Sequence, residues 1–275
     1  MLSQADFHRL ARFIQDYSGI RMPDSKRTML EGRLRRRLAA LQMTDFRQYC
    51  RYVFDEQGLE EEAVHLIDAV TTNKTDFFRE PEHFRYLSTN AVARVLQKRG
   101  YERGMRLVAW SAACSIGAEP YTMAMVLEDM AGQGLDFDYS ILATDICTQV
   151  LERGTRGVYP EEMAAPVPAE FRRRYLMRAR DRQRQEVRVV PELRRKVQFM
   201  RMNLLEDAYP LRQPADIIFC RNILIYFDKP TQAHVLERLC ASLRPGGFLF
   251  LGHSETIGGY SLPLEQVATT IFVRR

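Results

Sequence analysis

The sequence predicts an α/β protein in which a parallel sheet flanked by helices follows a small all-helical region. Up to about residue 67, apolar residues recur at the three- and four-residue spacing of helices. After Tyr101, short β-rich runs alternate with helical patterns, which is typical of a parallel sheet covered by helices. A charged stretch from about residue 160 to 196 interrupts this alternation and predicts an inserted subdomain.

The helical region contains two amphipathic patterns. One apolar stripe is formed by Phe7, Leu10 and Phe13, and another by Met29, Leu30, Leu34, Leu38 and Leu41. Asp24 and Ser25 can each accept hydrogen bonds from the free amide groups of a first helical turn, so the second helix is predicted to begin at one of them.

The predicted outer face of this second helix carries four arginines, Arg33, Arg35, Arg36 and Arg37. Between residues 21 and 51, nine Lys and Arg residues stand against three acidic residues. Long basic side chains often only cover apolar surface, so a solvated face is one interpretation. A docking face for acidic helices is the other.

The sheet region contains six predicted strands and three predicted helices. The strands are Arg106–Ala113, Tyr139–Ile146, Val197–Met202, Ala215–Arg221, Phe248–Gly252 and Thr269–Val273. The helices are Glu119–Met130, Thr148–Arg153 and Thr231–Leu243, the last closed by Pro245, Gly246 and Gly247 as a stop signal.

The predicted insertion combines a helical piece, Ala169–Leu176, with a short strand, Glu186–Val190. From residue 172 to 201, twelve basic residues stand against three acidic ones. Arginine presents a planar fork that suits carboxylates and phosphates, so an anionic partner is predicted, with nucleic acid as one candidate.

Composition and length exclude several classes of protein. The chain has 275 residues, 46% of them hydrophobic and 27% charged, which is ordinary for a globular protein and unlike a collagen, a coiled-coil rod or a disordered tail. Its apolar stretches are far shorter than the ~20 residues that span a bilayer, and Asp6, His8 and Arg9 stand where a signal peptide needs an apolar core. We therefore expect a cytoplasmic protein without membrane insertion.

The five cysteines agree with a reducing compartment. They are odd in number and widely separated, so no CxxC pair or zinc-ligand spacing is present. The sequence therefore predicts no metal site.

Small and polar residues follow the predicted strands where an open α/β sheet binds its ligand. The first strand runs into a turn of small residues ending at Gly117 and then into a helix, which lets a nucleotide-like cofactor approach the backbone. The GxGxxG pattern of phosphate-binding loops is missing, so a cofactor without phosphates fits better. Tight strand–helix packing is the alternative reason for the small residues.

The next strand ends supply candidate ligand contacts. Asp145 ends the second strand, where a carboxylate binds ribose hydroxyls, although it could instead cap the following helix. Asn203 and Leu204 follow the third strand at the place of an adenine ring, and polar residues from Arg221 onward follow the fourth. Together these strand ends predict an adenosyl pocket. By pattern alone, residues 71–80 read as a linker packed on the core.

Six motifs, in this order and spacing, resemble the chemotaxis receptor methyltransferases of the CheR family. They are TTNKTDFFRE, WSAACSIGAEPYTMAM, ATDI, MNLLE, FCRNILIYFDK and GGFLFLGHSE, and the resemblance covers nearly the whole chain. It implies a Rossmann-like methyltransferase sheet that uses S-adenosylmethionine, a small all-helical N-terminal domain and a small inserted β subdomain. The implied boundaries are residues 1–70 for a receptor-docking helical domain, 71–90 for a linker that contributes to the active site, and 91–275 for the methyltransferase domain, with the insertion at about 160–196.

The resemblance also implies roles for individual residues. Arg79 would pair with the methionine carboxylate and border the methyl-transfer site, and Tyr226 would orient the incoming carboxylate, its alternative being a buried aromatic at a sheet edge. The cofactor-binding residues would be Asn73, Thr75, Arg79, Glu119 (ammonium), Asp145 (ribose), Asn203 and Leu204 (adenine), Arg221 and Asn222. Ala118 and Cys147 depart from the family pattern, so no role is assigned to them.

The implied activity is methyl esterification of glutamates on the cytoplasmic helices of bacterial chemoreceptors, with S-adenosylhomocysteine as the other product. Arg33, Arg35, Arg36 and Arg37 would dock those helices, and in some members the insertion binds a peptide at the receptor's carboxyl terminus; the sequence leaves open whether this chain does so. We expect a monomer.

Two rival functions have less support in the sequence. A nucleic-acid methyltransferase would carry an Asn-Pro-Pro-Tyr motif after the fourth strand, where Arg221 to Leu224 stand instead, and its basic runs would contain aromatics for base stacking. A non-enzymatic scaffold is disfavoured because Arg79, Asp145 and Tyr226 are intact.

Overall fold

The computed structural model describes residues 1–100, 102–133, 135–181, 183–209 and 211–275. Four helices form the amino-terminal region: α1 (Gln4–Ser18), α2 (Arg27–Ala40), α3 (Phe46–Asp55) and α4 (Leu59–Val70). Seven more follow: α5 (Pro81–Tyr86), α6 (Val92–Lys98), α7 (Ala118–Gly132), α8 (Thr148–Arg156), α9 (Ala169–Tyr175), α10 (Pro191–Lys196) and α11 (Lys229–Ser242). A π-helical turn, Leu87–Ala91, joins α5 to α6.

Seven strands form the main sheet: β1 (Met105–Ala112), β2 (Phe137–Asp145), β6 (Val197–Arg201), β7 (Ala215–Cys220), β8 (Leu243–Leu251), β9 (Leu264–Ala268) and β10 (Ile271–Arg274). Their order is β6-β2-β1-β7-β8-β10-β9; the first five are parallel to one another, and β10 runs antiparallel to both of its neighbours. The order reverses between β1 and β7, so a ligand crevice is expected beyond the carboxyl ends of these strands. The predicted α/β sheet is confirmed.

The predicted insertion is a second, small sheet. It contains β3 (Val158–Pro160), β4 (Leu176–Arg178) and β5 (Glu186–Val189) in the antiparallel order β3-β5-β4. Helix α9 lies between β3 and β4, close to the predicted helical piece.

The helix starts follow from local capping. The Ser3 hydroxyl accepts a hydrogen bond from the Asp6 amide at α1, and the Asp45 carboxylate accepts one from the Gln48 amide at α3. At the second helix, Asp24–Lys26 form one 3-10 turn and the α-helix begins three residues after Asp24. The predicted start is therefore right for the first helical turn and early for the α-helix.

Two details of the sheet differ from the prediction. Strand β9 was not predicted, and the Pro-Gly-Gly stop signal lies inside β8, because α11 already ends at Ser242. The pairing of β8 with β7 jumps from Leu243 to Phe248, so the intervening residues bulge out of the ladder. A Cβ at Gly247 would lie 2.8 Å from the Asp216 carbonyl oxygen, so only glycine fits there.

Hydrophobic cores lie on both faces of the sheet. One packs α5, α6 and α7 on the sheet, through residues such as Phe84, Leu96 and Met125. The other is continuous from the amino-terminal helices to the opposite face, from Leu34 to Trp110. The helical region is therefore packed firmly against the sheet, and this places the end of α1 beside the crevice.

The arginines of α2 do not all lie on an outer face, so this part of the prediction is wrong for two of them. Arg33 Nη1 donates to the main-chain oxygens of Val70 and Thr71, at 2.5 and 2.8 Å. Arg37 Nε donates to the buried Glu62 carboxylate at 2.6 Å. These two side chains point toward α4, and the other two, Arg35 and Arg36, are exposed.

Candidate active site

A cleft opens at the carboxyl ends of β1, β2 and β7, under the end of α1. Its empty space is about 1130 Å³, part of it open to solvent. All ten residues predicted to bind cofactor or to act in catalysis line it: Asn73, Thr75, Arg79, Glu119, Asp145, Asn203, Leu204, Arg221, Asn222 and Tyr226. The four arginines of α2 do not.

The backbone around the cleft is strained. Eight non-glycine residues of the described chain have a positive φ, and five of them lie in the segments that form the cleft: Phe78, Glu80, Ala113, Ser115 and Asn222. Left-handed backbone at such residues costs free energy and concentrates at functional sites. This clustering supports the cleft as the functional site independently of its side chains.

The turn after β1 serves packing as well as ligand access. Gly117 has φ 91°, and a Cβ there would lie 2.9 Å from the Phe199 ring and 3.1 Å from the Gly154 Cα. Glycine is therefore required for α7 to begin close to α8. The packing alternative holds for Gly117, while Ala113, Cys114 and Ser115 line the cleft.

Asp145 organises two loops at the floor of the cleft. Its Oδ2 accepts a hydrogen bond from the Ser115 amide at 2.8 Å, and its Oδ1 accepts one from the Cys147 amide at 2.9 Å. Burial raises the pKa of Asp145, and these amide hydrogen bonds oppose the rise. The carboxylate that caps α8 is Asp68, which accepts from the Thr148 amide at 2.9 Å. Asp145 is therefore not the main cap of that helix.

A buried ion network joins β1, α7 and β7. Arg221 Nη1 lies 3.2 Å from Glu119 Oε2, and Arg221 Nη2 lies 2.9 Å from Glu80 Oε2. The Ser111 hydroxyl donates to Glu119 at 2.7 Å. Burial raises the pKa of Glu119 in spite of Arg221. Burial opposes ionisation of Glu80 too, but Arg221 and Asn222 outweigh it and lower the pKa of that carboxyl.

Residues 71–80 form one wall of the cleft. The Ser115 hydroxyl donates to the main-chain oxygen of Asn73 at 2.8 Å, and Arg79 Nη1 donates to the main-chain oxygen of Lys74 at 3.2 Å. Phe77 is fully buried, its ring 5.0 Å from that of Tyr159. The pattern-based prediction of a linker packed on the core is right for Phe77, but the segment also supplies site residues.

The helical region closes the other side of the cleft. Asn203 Nδ2 donates to the main-chain oxygen of Tyr17, at the end of α1, at 2.6 Å. The main-chain amide of Arg21 donates to the main-chain oxygen of Tyr226 at 3.1 Å. The site is therefore built jointly by the amino-terminal helices and the sheet.

Tyr226 ends a 3-10 turn, Leu224–Tyr226, beyond β7. Its half-buried side chain lines the cleft, with the Lys26 ammonium 5.8 Å from the ring centre, and its hydroxyl hydrogen-bonds to none of the described residues. The hydroxyl is therefore available to a ligand. The alternative of a fully buried aromatic does not hold.

Glu255 is a further residue of this region, and no sequence pattern predicts its role. Its buried carboxylate accepts four main-chain hydrogen bonds of 2.7–2.9 Å, from the amides of Asn222, Ile223, Leu224 and Gly252. Burial raises the pKa of Glu255, and the four amides oppose the rise. Glu255 thus fixes the segment that carries Asn222 and Tyr226. Its place in the GGFLFLGHSE motif was the only signal in the sequence.

The cleft fits a cofactor that has an amino-acid part and a nucleoside part but no phosphate. Both a cationic side chain, Arg79, and a carboxylate, Glu119, whose side chain is 12% exposed, line the cleft. Asp145 lies at the end of β2, where ribose is bound in such sheets. Fold and site together define an S-adenosylmethionine-dependent methyltransferase.

Comparison with known proteins identifies the family. Residues 73–273 match the model of the CheR methyltransferase SAM binding domain, and residues 5–71 match that of the CheR methyltransferase all-alpha domain. The chain belongs to the CheR methyltransferase family, and it is a methyltransferase of chemotaxis.

Three relatives are similar over almost the full chain. A chemotaxis protein methyltransferase 2 of Pseudomonas aeruginosa is 38% identical, covering 98% of this chain and 93% of the relative. The chemotaxis protein methyltransferases of Escherichia coli and Salmonella typhimurium are 40% and 41% identical, covering 92% and 98% of this chain and 85% and 90% of theirs. Within the described residues, no helix is both long and apolar enough to cross a membrane.

Proposed function

We propose that this chain transfers a methyl group to glutamate side chains on the cytoplasmic helices of bacterial chemoreceptors, forming methyl esters. The observation that carries the proposal is the combination of polar groups in the cleft. Carboxylates, two arginines, two lysines and a free tyrosine hydroxyl line it, but no histidine among the described residues does. Such a site suits a nucleophile that is already ionised, and a glutamate carboxylate, with an ordinary pKa near 4.3, is ionised at neutral pH.

The residues of the cleft divide the binding of the cofactor among them. S-adenosylmethionine supplies an electrophilic methyl group when bound. Arg79 would hold its methionine carboxylate, Glu119 its ammonium and Asp145 its ribose. Asn203 and Leu204 would flank the adenine, and Asn73, Thr75, Arg221 and Asn222 would complete the wall.

Catalysis in this site rests on positioning. The carboxylate nucleophile carries a negative charge that decreases as its oxygen is methylated. Strong hydrogen bonds would therefore stabilise the free carboxylate more than the transition state and would slow the reaction. Tyr226 would offer one hydroxyl that orients the carboxylate without neutralising it. Alignment of the reacting atoms can lower the activation barrier by ~7–11 kcal/mol. A rigid cleft wall that holds cofactor and carboxylate in line is therefore the main requirement.

The two exposed arginines of α2, Arg35 and Arg36, are proposed to dock the receptor. The reaction is proposed to take place in the cytoplasm. Acidic receptor helices would be attracted to them by complementary charge. The small sheet of the insertion has β4 as an edge strand with Met177 exposed, and an extended receptor peptide could add there by strand pairing. The monomer and the domain boundaries expected from the sequence remain part of this proposal.

The test is incubation of the purified protein with methyl-labelled S-adenosylmethionine and receptor-containing membranes, with total RNA in a parallel reaction. We expect label on receptors that is released by mild base, which is the property of an ester. Base-stable label on protein, or label on RNA alone, would contradict the proposal, and absence of transfer to any receptor would do the same.

A further inference from the structure

Two histidines and two glutamates lie together at the back of the ion network. Glu80, Glu82 and His83 come from the start of α5, and His253 comes from the segment after β8; we call them the His83–His253 cluster. His83 Nδ1 lies 3.4 Å from Glu80 Oε2. His253 Nε2 lies 3.8 Å from that same oxygen and 2.5 Å from Glu82 Oε1.

The hydrogen bonds around His83 favour a ring proton on Nε2. The Thr270 hydroxyl donates to the main-chain oxygen of Thr269 at 2.8 Å. It is therefore left to accept a hydrogen bond from Nε2–H of His83, at 3.0 Å. A neutral imidazole carries one ring proton, so Nδ1 presents a bare lone pair.

That lone pair has no suitable partner. His83 is fully buried, and its Nδ1 makes no hydrogen bond within the described part of the chain. The group nearest to it in the cluster is the Glu80 carboxylate, an acceptor that faces another acceptor. A buried, unsatisfied polar atom destabilises the fold, and the cost disappears when a cation lies between the two acceptors.

We propose that the His83–His253 cluster binds one divalent first-row transition-metal ion such as zinc. Its ligands are Nδ1 of His83, Nε2 of His253 and Oε2 of Glu80, with Glu82 as the fourth. Imidazole and carboxylate are ligands that suit zinc.

The geometry is close to what a tetrahedral site requires. Zinc–ligand bonds of 2.0–2.2 Å place neighbouring ligand atoms about 3.3–3.6 Å apart. The ligand atoms of Glu80, His83 and His253 all lie within 4.8 Å of one another. Glu82 Oε1 and His253 Nε2 are 2.5 Å apart, so these two side chains must separate when both bind the ion. The His253 side chain is 45% exposed, which gives the ion a path from solvent.

The local charge is compatible with a dication. Two carboxylates face the ion, and Arg221, which also contacts Glu80 Oε2, is held by Glu119 as well. The ion would connect α5 to the segment after β8. The sequence could not indicate the site, since His253 is 170 residues from His83.

The test uses the full chain, freed of metal by chelation and titrated calorimetrically with zinc in the absence of cofactor. We expect one zinc per chain and a higher melting temperature with zinc, whereas magnesium, which prefers oxygen ligands, should bind at least tenfold more weakly. His253→Ala, a change at a half-exposed side chain, should weaken zinc binding at least tenfold. Glu82→Gln should weaken it less.

The matched control is His8→Ala, which removes an exposed histidine that is paired with Asp24 far from the cluster. It should bind zinc as the unmodified chain does. Absence of zinc binding, or equal zinc binding by the His253→Ala variant, would overturn the proposal. Nitrogen NMR showing Nδ1 of His83 protonated with and without zinc would overturn it too. None of these measurements depends on methyl transfer, so they are independent of the proposed function.

Discussion

Buried carboxylates around the cleft hold the backbone as well as facing the ligand. Asp145 accepts two main-chain amides and Glu255 accepts four. Each position therefore combines a structural and a functional contribution, and a substitution separates the two only when stability and affinity are measured side by side.

The Asp145→Ala variant should bind S-adenosylhomocysteine about 10- to 100-fold more weakly. The loss corresponds to the roughly 1.5–3 kcal/mol of a charged hydrogen bond to ribose. Calorimetric titration measures it, and a melting curve shows how much stability is lost with the two amide contacts. Unchanged affinity would mean that Asp145 only holds the two loops.

The Tyr226→Phe variant should bind cofactor normally but turn over at least tenfold more slowly, a loss of about 1.4 kcal/mol in transition-state stabilisation. The reason is that its hydroxyl has no hydrogen-bond partner among the described residues and is proposed to act only on the incoming carboxylate. Receptor methylation rates and cofactor affinity are the two measurements. Parallel losses in both would indicate a structural role instead.

The Glu255→Gln variant should lower kcat, because a neutral amide cannot accept four amide hydrogen bonds and the segment bearing Tyr226 loosens. Its free energy of unfolding should fall by about 1–3 kcal/mol. Asp216→Asn is the control, since Asp216 is an equally buried acid at the opposite end of β7, bound to Arg99 and Arg244. That control should lose stability but keep kcat; if both variants kept kcat, Glu255 would not position Tyr226.

At the scale of elements, helix α2 is attached to α4 by one side, and its other side is exposed and proposed to dock the receptor. Arg33 and Arg37 fasten it to α4 and to the start of the segment that lines the cleft, whereas Arg35 and Arg36 face solvent. A substitution that includes Arg37 therefore mixes docking with stability. Loss of Arg37 leaves the fully buried Glu62 without its ion-pair partner, which typically costs about 3–5 kcal/mol.

Replacing Arg35 and Arg36 together by alanine should raise the Michaelis constant for receptor and leave cofactor affinity unchanged. Because the proposed attraction is electrostatic, methylation by the unmodified protein should fall steeply with salt, and the variant should respond less. Initial rates over a salt series test this. Arg37→Ala is the comparison, with an expected loss in melting temperature. Equal salt slopes for the double variant and the unmodified protein would make this side of α2 a solvated face.

Element boundaries show where local signals suffice. The five parallel strands were predicted to within a few residues at most ends, because buried β-rich runs are flanked by clear turn residues. No sequence pattern predicts strand β9, because its five residues show no apolar alternation and only Leu264 is buried. Its pairing with β10 stabilises it. The Pro-Gly-Gly segment has the sequence of a helix stop signal. Only the pairing of β8 with β7 shows that it forms a bulge within a strand.

At the scale of the whole molecule, the insertion is tied back to the sheet by Asp138. Its carboxylate pairs with Lys196 at the end of α10 and with Arg106 Nη2 at 2.7 Å. Burial would raise the pKa of Asp138, but these two cations and the Tyr139 amide lower it to about 2.

The Asp138→Asn variant should be less stable than the unmodified protein by about 1 kcal/mol at pH 7, a figure reduced for solvent screening of a partly exposed group. A lowered folded-state pKa contributes stability that is complete above the unfolded value near 3.8 and is lost as pH falls through about 2. Denaturant unfolding at a series of pH values should show the difference closing over that interval. A difference that is the same at pH 7 and pH 2 would contradict this account.

The sequence by itself determined the family, the order of the five parallel strands and ten of the residues that line the cleft. Strand ends and their flanking residues are local features, and parallel strands bring their carboxyl ends to one edge without further information. The six ordered motifs added the chemistry.

Only the tertiary structure decided which arginines of α2 face solvent, how Glu80 and Glu255 hold Arg221 and Tyr226, and that His83 meets His253. The rotation of α2 depends on Glu62 and on the carbonyl groups at the end of α4, far along the chain. The other contacts join residues from about 30 to 170 positions apart, and no periodicity or local propensity encodes such a distance. They depend on how the layers pack, because buried charges must find partners wherever the fold places them.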